Sequence, residues 1–152
     1  RRTPPPSGNR LNDQVLEEGG ISEEQMRHYQ VGAVITSLRK LIEYSENRLA
    51  EDDYYTLERL HELLELDNEY WYAYGFTVRP RIEEWASPAQ LDELMHLDKH
   101  LIAVRRRIRQ AHKVLLAQER DPGKVERFRA KQVNLQEREK QHERFLAMGT
   151  GA

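Results

Sequence analysis

Three times the chain places a histidine three residues after a glutamate: Glu58/His61, Glu93/His96 and Glu139/His142. On a helix this spacing puts a carboxylate and an imidazole on one face, the arrangement that di-iron four-helix bundles use twice beside single glutamates. His96 and His100 add a second metal-capable spacing, four residues apart. A metal-binding helical bundle is therefore one reading of the chain. Against it, a sequence with 19 Glu and 6 His yields such pairs by chance, and three is a mild excess. Glu58 falls on the polar side of its helix, opposite Leu57, Leu60 and Leu64, and His96 and His100 flank an apolar seam rather than enter it. No glycine-rich phosphate loop, Ser/His/Asp set or pair of catalytic carboxylates emerges. With no cysteine in the chain, thiolate zinc sites and a cysteine nucleophile are excluded. The expectation is a non-enzyme that needs no cofactor and no resident metal.

Charge supplies the second candidate chemistry. The formal net charge of −2 hides a strong segregation: residues 99–144 carry 14 Lys and Arg against 6 acids, residues 11–98 carry 7 against 20, and residues 1–10 add three arginines. The densest cations are Arg105, Arg106, Arg107 and Arg109, followed by Lys113 and Arg120. Arg106, Arg109, Lys113 and Arg120 share one helix face, and with Arg105 they form a basic face that could track phosphates. Nucleic-acid binding is thus an alternative function. The preferred reading pairs this stripe with carboxylates, within the chain or on a partner protein, because Glu43, Glu46, Glu51, Glu58, Glu62, Glu65 and Glu69 lie on the acidic helices.

A third cluster is aromatic. Tyr70, Trp71, Tyr72, Tyr74, Phe76 and Trp85 fall within sixteen positions, with Arg79 and Arg81 among them. Rings beside arginine are what protein interfaces use as anchors. Tyr70, Tyr72, Tyr74, Phe76, Arg79, Arg81 and Trp85 are accordingly candidate interaction residues. The plainer reading is that the rings plug a junction between two helical halves, and Trp71, on the apolar face of its helix, belongs to the core.

The elements that carry these residues are helical throughout. Ser22 reads as an N-cap with Gln25 as its capping-box partner and Ile21/Met26 as a hydrophobic staple. Val31, Ile35, Leu38, Ile42 and Leu49 then give one apolar face to a first helix over about 22–50. Glu51, Asp52 and Asp53 break it and are expected to cap a second helix, which buries Leu57, Leu60, Leu63, Leu64 and Trp71 and stops near Gly75. Residues 76–86 read as an irregular connection, since Pro80 disfavours helix at Arg79. Ser87, Pro88 and Gln90 start a third helix. Its seam is Leu94, Leu97, Leu101, Val104, Ile108, Ala111 and Leu115, apolar at every slot of a three-four repeat. Asp121 and Pro122 start a fourth, with a matching seam at Val125, Phe128, Gln132, Leu135, Glu139, His142 and Leu146. Folded back in register, the two seams form a long antiparallel coiled-coil hairpin. The polar slots Gln132, Glu139 and His142 are expected to mark a loosely packed or solvent-reaching end, or else to fix register or face a partner.

The fold class read from the sequence is all-α, with four main helices, the last two a coiled-coil hairpin. Residues 1–20 form a basic Pro-rich arm, 21–75 an acidic helical pair, 76–87 an aromatic and Arg-rich connection, 88–147 a basic hairpin and 148–152 a tail. The longest uncharged runs are too short for a membrane span. Leu, Ile, Val and Phe make up 35 residues, enough for a lean core. The expected role is that of an accessory or structural subunit whose partners are other protein subunits of a larger complex. The basic start without Met matches the remainder of a cleaved organellar targeting segment, so a mitochondrial complex is one setting and a phage particle another.

Overall fold

The computed structural model describes residues 22–71 and 78–150, all of whose regular structure is helical. The N-terminal arm, Ile21 of the expected staple, the aromatic residues Tyr72, Tyr74 and Phe76, and Gly75 lie outside the described residues. Helix α1 spans Glu23–Leu49, α2 Leu57–Tyr70, α3 Arg79–Trp85, α4 Pro88–Gln118 and α5 Pro122–Thr150, with a 3-10 turn at Asp52–Tyr54 between α1 and α2.

Helix starts follow from side chains that satisfy the first orphan N–H groups. Ser22 and Gln25 close a reciprocal capping box on α1, and Ser87 and Gln90 do the same on α4. The Asp121 carboxylate accepts from the Gly123 and Lys124 amides at the start of α5. The second helix departs from expectation. Glu51, Asp52 and Asp53 do not cap it; they form the 3-10 turn, and the Thr56 hydroxyl accepts from the Arg59 amide instead. A hydroxyl one residue before the first buried leucine wins over carboxylates that sit a full turn too early. Thr56→Ala should therefore cost about 1 kcal/mol in urea unfolding, and Asp53→Ala a few tenths at most. Equal losses would return the cap to the acidic run.

The connection at 76–87 is likewise not wholly irregular, because residues 79–85 form α3. Pro80 is tolerated because it stands in the first turn, where its missing N–H has no partner to lose. Ile82 is buried and Trp85 takes cation–π contacts from Arg27 of α1 and Arg81 of its own helix.

Helix α4 is central. It packs chiefly against α1 on one side and α2 on the other, with α5 lying against α2 and α4. Contacts from Gln90 to the His28 carbonyl, Glu93 to Arg39 and His100 to Glu46 rise together in number, so α1 and α4 run parallel. Pairing of Arg105 with Asp67 and of His112 with His61 runs the other way, so α2 and α4 are antiparallel. One core joins Val31, Ile35, Leu38 and Ile42 of α1, Leu60, Leu63 and Leu64 of α2, Leu94, Leu97, Leu101, Val104 and Ile108 of α4, and Leu135 and Leu146 of α5. A smaller cluster of Leu57, Leu116 and Phe128 closes the far end.

Because α4 is flanked on several sides, a single seam does not describe it. Asp98, Arg105 and His112, each seven residues from the next, are buried beside the leucine seam. At the C-terminal end the seam drifts, as a straight helix must relative to a strict heptad. Leu116 goes in, while Ala111 and Leu115 are only partly covered.

Candidate functional site

Of the three polar residues of that heptad stripe, Asp98 meets α3, whereas Arg105 and His112 both meet α2 and α5. Asp98 of α4 pairs with the guanidinium of Arg79 from α3, which also reaches Glu83 at 3.2 Å. The Arg79 group lies 5.9 Å from the centre of the Trp71 indole. Burial raises the Asp98 carboxyl above its usual range, with Arg79 pulling the other way.

Arg105 is the hub of a larger network. Its Nε donates to Asp67 of α2 at 2.8 Å, lies 4.0 Å from Glu139 of α5, and its Nη1 lies 3.4 Å from Glu143. Arg109 pairs with Glu139, and Arg106 reaches Glu143 at 3.2 Å. Arg105 is 1% exposed, Asp67 2% and Glu139 3%. Burial is the main influence on Asp67 and raises its carboxyl, with Arg105 opposing. Arg105 therefore leaves the expected basic face: it is a core residue, because the neighbouring helices supply the carboxylates that make its burial tolerable. Arg107 meets Glu46 of α1 at 3.7 Å. Lys113 and Arg120 stay at the surface.

The polar seam positions on α5 also differ from expectation. Glu139 and His142 do not mark a solvent-reaching end. Both are buried, Glu139 in the arginine network and His142 stacked on the indole of Trp71 at 5.2 Å between ring centres. Gln132 is half-buried. Burial pushes His142 down to about 4, and Arg105 and Arg138 act in the same direction. His61 and His112 form a ring cluster with Phe128, all three centroid distances falling between 5.6 and 6.1 Å. Desolvation lowers both histidines; Glu65 opposes it at His61, while His61 reinforces it at His112.

The Glu-x-x-His pairs are consequently split between unrelated partners. Glu58 is held by Lys124 at 2.9 Å, Glu93 by Arg39 and Glu139 by Arg109. Among the described residues no cluster of three or more His, Cys, Asp or Glu is placed to hold a metal ion. No helix among them is long and apolar enough to cross a membrane. Of the aromatic candidates, Tyr70 and Trp71 are buried and in edge-on contact, Arg79 is buried, Arg81 is exposed and Trp85 is half-buried.

Two of the surface depressions among the described residues lie beside these candidate residues. A cleft of about 520 Å³ between α2 and α5 is mixed in character, lined by His61, Glu65, Asn68 and Glu69 on one wall and Lys131, Asn134, Leu135 and Arg138 on the other. A groove of about 590 Å³ lies where α1 ends beside α4, and its floor and walls are apolar: Leu49, Tyr55, Ala111, Val114 and Leu115. The charged residues lining it are Arg106 and Arg107. Leu49, Arg106, Arg107, Ala111 and Leu115 stood out from the sequence for other reasons, whereas Tyr55, Gln110 and Val114 did not. The only signal was Val114, apolar on a helix face otherwise occupied by Arg107 and Gln110. Comparison with protein-family models, with curated proteins and with solved structures gives no match to the chain.

Proposed function

We propose that this chain is a non-catalytic accessory or structural subunit of a larger multiprotein assembly, acting through helical protein–protein contacts. The observation that carries the reading is the apolar groove between Leu49, Tyr55, Ala111, Val114 and Leu115. Val114 is 45% exposed and Tyr55 39%, and an apolar groove beside a helix is the kind of surface that receives the apolar face of another helix. In this reading α4 and α5 act as a long antiparallel coiled-coil hairpin. Their short connection at 119–121 and the cross-pairs Arg105–Glu143, Arg109–Glu139 and Lys124–Glu119 support it. Arg105 and Arg109 are enclosed and already hold carboxylates, which takes two cations out of the basic face and favours protein contacts over phosphate tracking.

Native mass measurement on extract from cells that make the chain tests the proposal. The chain should run with an assembly several times its own 18.0 kDa. A free monomer under the same conditions overturns it.

A further inference from the structure

The groove has an internal template for what would fill it. Helix α1 runs parallel to α4 and covers its apolar side with Val31, Ile35, Leu38 and Ile42. At the same time α1 offers Glu46 to two groups of α4, His100 at 3.0 Å and Arg107 at 3.7 Å. An apolar stripe flanked by glutamate is thus the pattern that this side of α4 accepts. Helix α1 stops at Leu49 while α4 continues to Gln118, and the groove begins there. Its wall is fixed, because the Tyr55 hydroxyl donates to the Leu49 carbonyl at 2.8 Å.

Charge selects the occupant. From Lys99 to Gln118 the chain carries six Lys and Arg and no acid. The guanidinium-bearing side chains at the groove, Arg106 and Arg107, are 68% and 59% exposed, so each keeps donors free beyond its contact with Glu143 or Glu46.

We propose that the groove seats an acidic amphipathic helix of a partner protein, laid along α4 as a continuation of α1. Its apolar residues pack on Ala111, Val114 and Leu115, and its carboxylates meet Arg106 and Arg107. This deepens the subunit reading above and rests on it. Such an interface follows the helix-in-groove mode, with anchors at i, i+3, i+4 and i+7.

The test uses the full chain and a labelled synthetic peptide of about 18 residues, long enough for several helical turns. Leucines form its apolar stripe and glutamates the flanks; a second peptide carries lysine in place of each glutamate. Fluorescence anisotropy should show saturable binding of the glutamate peptide, at least about tenfold tighter than the lysine peptide and weakening with added salt. Val114→Glu, at an exposed position that leaves the core intact, should abolish binding, and Arg106→Glu with Arg107→Glu should reverse the preference. Thermal unfolding of each variant checks that it folds. Equal binding of the two peptides, no binding of either, or full binding by Val114→Glu overturns the proposal. So does concentration-dependent dimerisation that Val114→Glu removes, since the groove would then join copies of this chain. Displacement of the glutamate peptide by a single-stranded oligonucleotide at physiological salt overturns it in favour of nucleic acid. If Val114→Glu chains still enter the native assembly, the groove proposal fails and the subunit reading stands. If the wild-type chain binds the glutamate peptide yet is a free monomer in cells, the subunit reading fails instead.

Discussion

Arg105→Ala should lose about 3–5 kcal/mol of folding stability, the range for breaking one side of a buried ion pair. Arg105 is enclosed by α2, α4 and α5, and its guanidinium serves Asp67, Glu139 and Glu143 together. Truncation leaves Asp67 as a buried carboxylate whose nearest cation is gone, and opens a cavity where the side chain lay. Arg109 still holds Glu139, so the penalty falls mainly on Asp67. For a chain of this length the loss corresponds to a fall in melting temperature of roughly 10 °C. The double replacement Arg105→Met with Asp67→Leu should recover much of it, because an apolar pair carries no desolvation cost. Arg105→Lys should fall between the two, since a point charge cannot reproduce the fork that spans Asp67 and Glu143. Chemical denaturation of the four proteins decides the matter. A loss below about 1 kcal/mol for Arg105→Ala would mean that the network behaves as a solvent-screened surface pair.

Acid should weaken the fold between about pH 6.5 and pH 4, and His142 should be the largest single cause. Its folded-state value of about 4 lies below the 6.5 of an unfolded histidine. The neutral ring is thus favoured in the fold, and the stability this implies is present in full above the unfolded value. It is lost as pH falls, and the loss saturates below the folded value. The total is about 3 kcal/mol by linkage. His61 and His112 shift in the same direction and add to the trend. Asp67 and Asp98, raised by burial, act in the opposite sense at lower pH. Comparison with His142→Phe isolates the histidine, because phenylalanine can keep the stack on Trp71 and cannot be protonated. Urea unfolding at pH 7.5, 6, 5 and 4.5 should show the wild type losing stability relative to His142→Phe at each step down. Parallel pH profiles for the two proteins would show that His142 titrates in the fold as it does in the unfolded chain.

These two predictions come from the parts of the molecule that the sequence describes least well. The starts of α1, α4 and α5 were legible, since Ser22, Ser87 and Asp121 act on amides two or three residues away. The burial of Leu94, Leu97, Leu101, Val104 and Ile108 was legible for the same reason: a repeat of apolar residues defines a face whatever lies opposite. The cap of α2 was misplaced by one turn because acids and hydroxyls both favour that position, and the choice fell to the hydroxyl next to the first buried leucine. Helix α3 was missed because proline removes helix as a default but not in a first turn.

The candidate site was less legible than the fold. Nothing in the local pattern distinguishes Arg105 from Arg106, although one is enclosed and the other exposed. The seven-residue spacing of Asp98, Arg105 and His112 was a signal, but only for a helix with neighbours on more than one side. In a two-stranded hairpin those positions face water. Glu139 and His142 looked like a loose end because a polar residue in a seam is costly alone, and it ceases to be so when Arg109 or Trp71 stands opposite.

The sequence by itself determined the all-α class, most helix limits, the apolar faces and the segregation of charge. Each depends on residues within a turn or two of one another. Tertiary structure decided which charged and polar groups are buried, which carboxylate holds which arginine, and where α4 outruns the cover of α1. Those outcomes depend on desolvation and pairing across helices, and both are set by the partner that the chain brings from far along its length.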